Sequence, residues 1–225
     1  MTGKTAILIF ANSSSEELKT KKIQRSAPLF DHLNQKVLKI ARSTGLPYFL
    51  FSEEEQVGSN FGERFTHAIA SVFQKGYQNV ISIGNDTPGL SKNHILRTAT
   101  LLNSNGMVLG PSFDGGFYLM GMRKELFCKK QFLKLPWQTA QLTKCIRRLL
   151  GKKFENIVWL ERLRDIDNES DLKHIVNTFQ FVGDVLRTII LQITKSAQTF
   201  FSEMILVQQL VFIRHFFNKG SPFQI

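Results

Sequence analysis

Apolar residues along this chain fall into two kinds of run that alternate. Ala6-Ile7-Leu8-Ile9-Phe10 is continuously apolar, the pattern of a strand buried on both faces. Tyr48 to Phe51, Val80 to Ile83, Met107 to Leu109, Phe117 to Met120 and Asn156 to Leu160 are further short runs of strand type. Between them apolar residues recur at helical spacing. Leu29, Leu33, Val37, Leu38 and Ile40 lead to Thr44-Gly45, and Phe65, Ile69, Val72 and Phe73 lead to Gly76, where glycine suits a helix stop. Ser91 is the expected N-cap of a helix through Leu102. Two more helices are expected over 138–150 and 169–179. The polar stretch Asn12 to Lys22 reads as a loop. Strands alternating with helices predict an α/β domain with a mostly parallel sheet and helices on both faces. Ligands of such sheets bind beyond the carboxyl ends of the strands.

The pattern changes after Gln180. From Phe181 to Phe217 there is neither proline nor strand alternation, and Phe200 to Phe217 is densely apolar. The expectation is a domain over residues 1–180 and a C-terminal helical extension over 181–225, packed on the domain or closing a homodimer. Glu203, Gln208, Gln209 and Arg214 interrupt the extension, so no transmembrane segment is expected there.

A formal net charge of +11 favours anionic partners: nucleotides, phosphosugars, nucleic acid or anionic lipid. The basic residues are spread along the chain without the aromatic-basic motifs of nucleic-acid binders, which disfavours nucleic acid. Twenty phenylalanines point to an aromatic-rich core or a buried interface. Cys128 and Cys145 have no metal-finger spacing and read as reduced thiols. Ala6 to Ala11 is too short for a secretory apolar region, so a cytoplasmic protein is expected.

Two segments carry candidate chemistry. Asn85-Asp86-Thr87-Pro88-Gly89 puts a carboxylate at a strand end. A hard cation such as Mg²⁺ uses one or two carboxylates plus substrate phosphates, so Asp86 suits a metal site. An Asp that merely caps the turn is the plainer alternative. In Gly110-Pro111-Ser112-Phe113-Asp114-Gly115-Gly116, paired glycines after an aspartate let the backbone approach a ligand closely; the same residues also suit an ordinary Asp-Gly hairpin.

Taken in order, Gly62-Glu63-Arg64, Gly84 to Leu90, Gly110-Pro111 with Asp114 to Gly121, Leu135-Pro136-Trp137 and Asp165-Ile166-Asp167 form a more specific set. Over about residues 4–179 the chain resembles the glycosyltransferase-A-like radical-SAM/selenodomain-associated transferases, relatives of phospholactate guanylyltransferase. The resemblance implies a three-layer α/β/α Rossmann-like nucleotide-diphospho-sugar transferase fold. It also implies a nucleotide or nucleotide-sugar partner and Mg²⁺ or Mn²⁺ as cofactor. Asp86 resembles the acidic metal ligand, Asp114 the acidic residue facing sugar or acceptor, and Asp167 a late acidic position near the metal. A cap on the following helix is an equal reading of Asp167. Gly62, Arg64, Gly115 and Gly116 fall on the ligand-binding positions. Arg64 has an exposed helical arginine as its alternative, and Trp137 is either a base-stacking or a buried ring.

One departure matters. The group carries a Pro- and Gly-bearing loop ending in Lys-Thr-Arg-Leu after its first strand. Here Lys19 and Thr20 match, Lys21 stands for the arginine, and the proline and glycine are missing. Lysine lacks the bidentate guanidinium fork, and Glu16 and Glu17 add negative charge. The resemblance implies a transferase with a nucleotide-activated donor; the altered loop supports the alternative, a nucleotide-binding protein that keeps the fold without turnover.

Overall fold

In a computed structural model of the chain, residues 4–139, 141–151, 157–178 and 183–195 are described. The chain divides into two compact units, with the boundary after Asp171.

The first unit is built on a six-stranded sheet: β1 (Thr5–Phe10), β2 (Tyr48–Phe51), β3 (Asn79–Ile83), β4 (Met107–Pro111), β5 (Phe117–Arg123) and β6 (Ile157–Trp159), in the order β2-β1-β3-β5-β4-β6. The β1–β2, β1–β3 and β4–β6 ladders are parallel; β5 runs antiparallel to its neighbours β3 and β4. The sheet is thus mostly parallel, as the alternation of strands and helices predicts. A register shift at Gly110/Pro111 marks where β4 leaves the ladder for the Asp114 loop.

Strand periodicity explains the two cores. On β1, Ala6 and Leu8 face a cluster with Phe65, Ile69, Val72 and Phe73 of α3 (Phe61–Gln74). Phe132 of α5 (Lys129–Phe132) and Leu142 and Ile146 of α6 (Leu142–Gly151) join that side. Ile7 and Ile9 face the other cluster, with Val37 and Ala41 of α2 (Ala27–Ser43) and Ile95 of α4 (Lys92–Leu101). Ala6, Ile7, Leu8 and Ile9 are all 0% exposed, which is why the run is continuously apolar instead of alternating. Each large side chain buried this way contributes roughly 1.5–3 kcal/mol. The result is the three-layer α/β/α arrangement.

Asn12 to Lys22 is not the loop its polarity suggests. Residues Ser14–Thr20 form α1, with the Ser13 side chain as N-cap accepting from the Glu16 backbone N–H at 3.3 Å. Glu16 and Glu17 in the first turn complement the helix dipole. Polarity misleads here because only one side chain of the helix, Glu17, is buried.

The second unit begins with most of α7 (Glu169–Thr178), and residues 184–195 are also helical. Leu186, Ile190 and Ile193 are buried on that second helix, a stripe at helical spacing. The expected boundary at 180/181 and the apolar stretch Phe200 to Phe217 lie outside the described residues. Among the described residues no helix is long and apolar enough to cross a membrane.

Candidate active site

The strand ends open into a cavity of about 500 Å³. Its polar part is assembled from three segments. The turn after β3 is pinned to α2: the Asn85 side-chain amide donates to Asn34 Oδ1 at 2.8 Å, and Lys36 Nζ donates to the Pro88 carbonyl at 2.6 Å. The segment after β6 is laid along this turn by the Ile166 N–H, which donates to the Asp86 carbonyl at 2.8 Å. Parallel bridges hold it at both ends, Ser112 with Leu163 and Lys22 with Asn168. The last of these bridges brings the end of α1 beside Asp167.

Lys21, the residue after α1, places its ammonium between two carboxylates. Nζ lies 2.8 Å from Asp86 Oδ2 and 2.5 Å from Asp167 Oδ1. Burial works against its charge, but Asp86 and Asp167 outweigh burial and hold its pKa above the ordinary lysine value. Asn168, not Asp167, provides the helix cap: its Oδ1 accepts from the Ser170 and Asp171 backbone N–H groups at 2.9 and 3.3 Å. The Asp167 side chain is left for the cavity.

Asp165 lies beside this pair and accepts from the Thr87 hydroxyl at 2.5 Å. Burial, reinforced by the Asp86 carboxylate, pushes it up to about 8 despite that hydrogen bond. Glu17, 5% exposed, is raised to about 7 by burial; Lys21 opposes the shift and Asp86 adds to it. Among the described residues its Oε2 has no hydrogen-bond partner. Asp114 is exposed, with Oδ1 accepting from Ser112 Oγ at 2.6 Å and the Gly116 N–H at 2.9 Å. Gly115 adopts φ +97°, a left-handed conformation that favours glycine and lets this loop close.

Part of the lining is aromatic. Phe10, Phe61, Phe65, Phe117 and Trp137 form it. Trp137 is 5.8 Å from Phe61 and 5.1 Å from Phe65 between ring centroids, and its indole N–H donates to the Phe132 carbonyl at 2.7 Å. The Trp137 ring is packed and half-buried, and it also lines the cavity.

Of the residues picked out in the sequence, Asp86, Asp114, Asp167, Lys21, Arg64 and Gly116 line the cavity. Three do not. Lys19 is exposed on α1 and pairs with Glu16 at 2.5 Å. Gly62 is buried in α3, where an added Cβ would lie 2.5 Å from Trp137 Cδ1. Gly115 shapes the loop, its carbonyl accepting from Thr143 Oγ1 at 3.1 Å. Asp165 and Glu17 also line the cavity, although the sequence assigns neither a place in the site. Asp165 stood in the Asp165-Ile166-Asp167 motif, and Ser13 three residues before Glu16 is a capping signal that would have turned Glu17 inward on a helix.

The donor set suits a hard cation in kind. Asp86 and Asp167 aim one oxygen each at a common point, and phosphate and water oxygens would have to complete the shell. Among the described residues no three His, Cys, Asp or Glu side chains share such a point. The point itself is filled by the Lys21 ammonium.

Residues 32–139, just under half of the chain, match the model of a family described as "Uncharacterized protein conserved in bacteria (DUF2064)". No curated protein matches the sequence. Among solved structures, Rv0371c of Mycobacterium tuberculosis H37Rv is 11% identical over 79% of this chain and 100% of its own, with a TM-score of 0.49; it has also been solved as a complex with manganese. A cytidylyltransferase from Leptospira borgpetersenii serovar Hardjo-bovis (strain JB197) is 16% identical over 87% of this chain and 96% of its own, with a TM-score of 0.44. A protein from Desulfovibrio desulfuricans G20, provisionally named a nucleotide-diphospho-sugar transferase, is 21% identical over 85% of this chain and 98% of its own, with a TM-score of 0.74. The fold of this chain is therefore the α/β fold of that structure.

Proposed function

We propose that this chain is a transferase that uses a nucleotide or nucleotide-sugar donor, with Asp86 and Asp167 as the seat of Mg²⁺ or Mn²⁺. The observation that carries the reading is the convergence of these two carboxylates at the strand ends of a cavity with an aromatic wall. The charge balance inside the cavity supports it. The chain as a whole is basic, yet the cavity is lined by Glu17, Asp86, Asp114, Asp165 and Asp167 against Lys21 and Arg64. A diphosphate entering such a cavity meets net negative charge even with Glu17 and Asp165 protonated, so a further cation is needed at the seat. A bound divalent cation would supply that charge and neutralise a diphosphate leaving group.

The chain's own residues do the rest. The aromatic wall offers Phe61, Phe117 and Trp137 to a base or sugar. Arg64 faces a phosphate, and Asp114, held by Ser112 and Gly116, faces the acceptor. The radical-SAM-associated transferases remain the group whose motifs this arrangement suits. A second reading, a nucleotide-binding protein without turnover, is favoured by Lys21 holding the seat.

Thermal-shift and calorimetric titrations with nucleoside di- and triphosphates and nucleotide-sugars, each with and without MnCl₂, test the proposal. Metal-dependent binding of at least one donor is expected. Absence of binding at millimolar concentration, with and without metal, would overturn it. Donor consumption in the presence of candidate acceptors then separates the transferase from the binding protein.

A further inference from the structure

Lys21 is not a surface lysine that happens to find a carboxylate. Its side chain is 14% exposed, and its ammonium uses two of its three N–H donors on Asp86 and Asp167, residues 65 and 146 positions away along the chain. The backbone on either side is fixed. The Lys21 N–H donates to the Glu17 carbonyl at 2.8 Å, and Lys22 bridges Asn168. The carboxylates are also fixed from behind, Asp86 through its carbonyl to Ile166 and Asp167 through its N–H to Asp171 Oδ2 at 3.1 Å. What is left free to move is the four-carbon lysine stem, which carries a point charge without geometric demand.

We propose that Lys21 is the resident cation of the Asp86–Asp167 seat, and that its ammonium and a divalent metal exclude each other there, so that Lys21 sets the metal affinity of the chain. The inference rests on the reading of Asp86 and Asp167 as the metal seat. A metal in contact with Asp86 Oδ2 and Asp167 Oδ1 needs the space that Nζ fills. Mg²⁺ bonds oxygen at about 2.0–2.1 Å, inside the shell set by the ammonium's longer hydrogen bonds. The exchange replaces one positive charge by two between the same two carboxylates, while the ammonium, still protonated, moves out on its stem. Metal entry must break both ion pairs, which lowers apparent affinity; without the ammonium, two facing carboxylates are left uncompensated and take up a cation readily.

The test is Mn²⁺ binding to the full chain, followed by calorimetry and by the loss of the free-ion electron paramagnetic resonance signal. Lys21→Met should bind Mn²⁺ on the order of tenfold or more tightly than the unmodified chain. Lys21→Arg, which keeps a cation, should not gain affinity, and Lys21→Met combined with Asp86→Asn should lose the gain. Should Lys21→Met fail to fold without metal, Lys21→Gln and a measurement on the unmodified chain decide. In the latter, Lys21 should acetylate slowly in metal-free buffer and several times faster at saturating Mn²⁺, read by mass spectrometry. Asp86-dependent Mn²⁺ binding to the unmodified chain, with Lys21→Met no tighter or with Lys21 acetylation unchanged, would overturn the exclusion and leave the metal seat standing. Failure of every variant to bind Mn²⁺ would remove the seat itself, and the inference with it.

Discussion

Thr87 and Asp165 are joined by a 2.5 Å hydrogen bond across 78 positions of the chain. The bond ties the turn after β3 to the segment after β6, and those two pieces carry Asp86 and Asp167. Asp165 is thus a strut between the two segments whose carboxylates hold Lys21, and its half-buried position makes the Thr87 hydroxyl worth keeping.

Thr87→Val keeps the side-chain shape and deletes the donor. It should lower the unfolding free energy by about 1–2 kcal/mol, the loss of one hydrogen bond to a half-buried carboxyl group. Chemical denaturation monitored by circular dichroism checks this; a change below about 0.5 kcal/mol would mean the bond is not structural.

Glu17 gives a pH signature. Its folded pKa of about 7 stands above the ordinary value of 4.5, chiefly through burial. The folded state therefore holds this proton more tightly than the unfolded chain does. The stability so gained is complete below pH 4.5 and is lost as pH rises to about 7. Glu17→Gln removes this loss. The melting temperature of the variant should gain on that of the unmodified chain by a few degrees between pH 4.5 and pH 8, and a constant difference across that range would refute the assignment.

Asp86→Asn should leave the melting profile of the chain near its original position while abolishing Mn²⁺-dependent nucleotide binding. The amide keeps the shape of the turn but removes one charge from the seat, and metal sites bound through one or two carboxylates depend on each of them. Isothermal titration calorimetry with a nucleoside diphosphate and MnCl₂ decides; affinity equal to that of the unmodified chain would remove Asp86 from the site.

Gly62→Ala tests the aromatic wall. The new Cβ would meet Trp137 Cδ1 at 2.5 Å, and the indole is held by its bond to the Phe132 carbonyl. Overpacking should outweigh the better helix propensity of alanine and cost about 1–3 kcal/mol. Urea denaturation followed by tryptophan fluorescence reports both the stability and the displaced ring. An unchanged midpoint and emission would show that Trp137 gives way freely.

The fold was legible in the sequence because its signals are local. A strand buried on both faces must be continuously apolar, as Ala6 to Phe10 is, and a helix lying on a sheet must repeat its apolar residues as Phe65, Ile69, Val72 and Phe73 do. The placing of Asp86 at a strand end followed from the same pattern, since Val80 to Ile83 ends just before it. Tertiary structure decided what those carboxylates face. Lys21, Asp86, Asp165 and Asp167 come from three separate segments, which the Lys22–Asn168 bridge, the Ile166–Asp86 hydrogen bond and the Thr87–Asp165 hydrogen bond bring together. Glu17 illustrates the limit most sharply. Among polar neighbours its sequence signature is that of a solvated residue, and one turn of helix carries it into the cavity, where burial, a property of the assembled fold, changes its proton affinity.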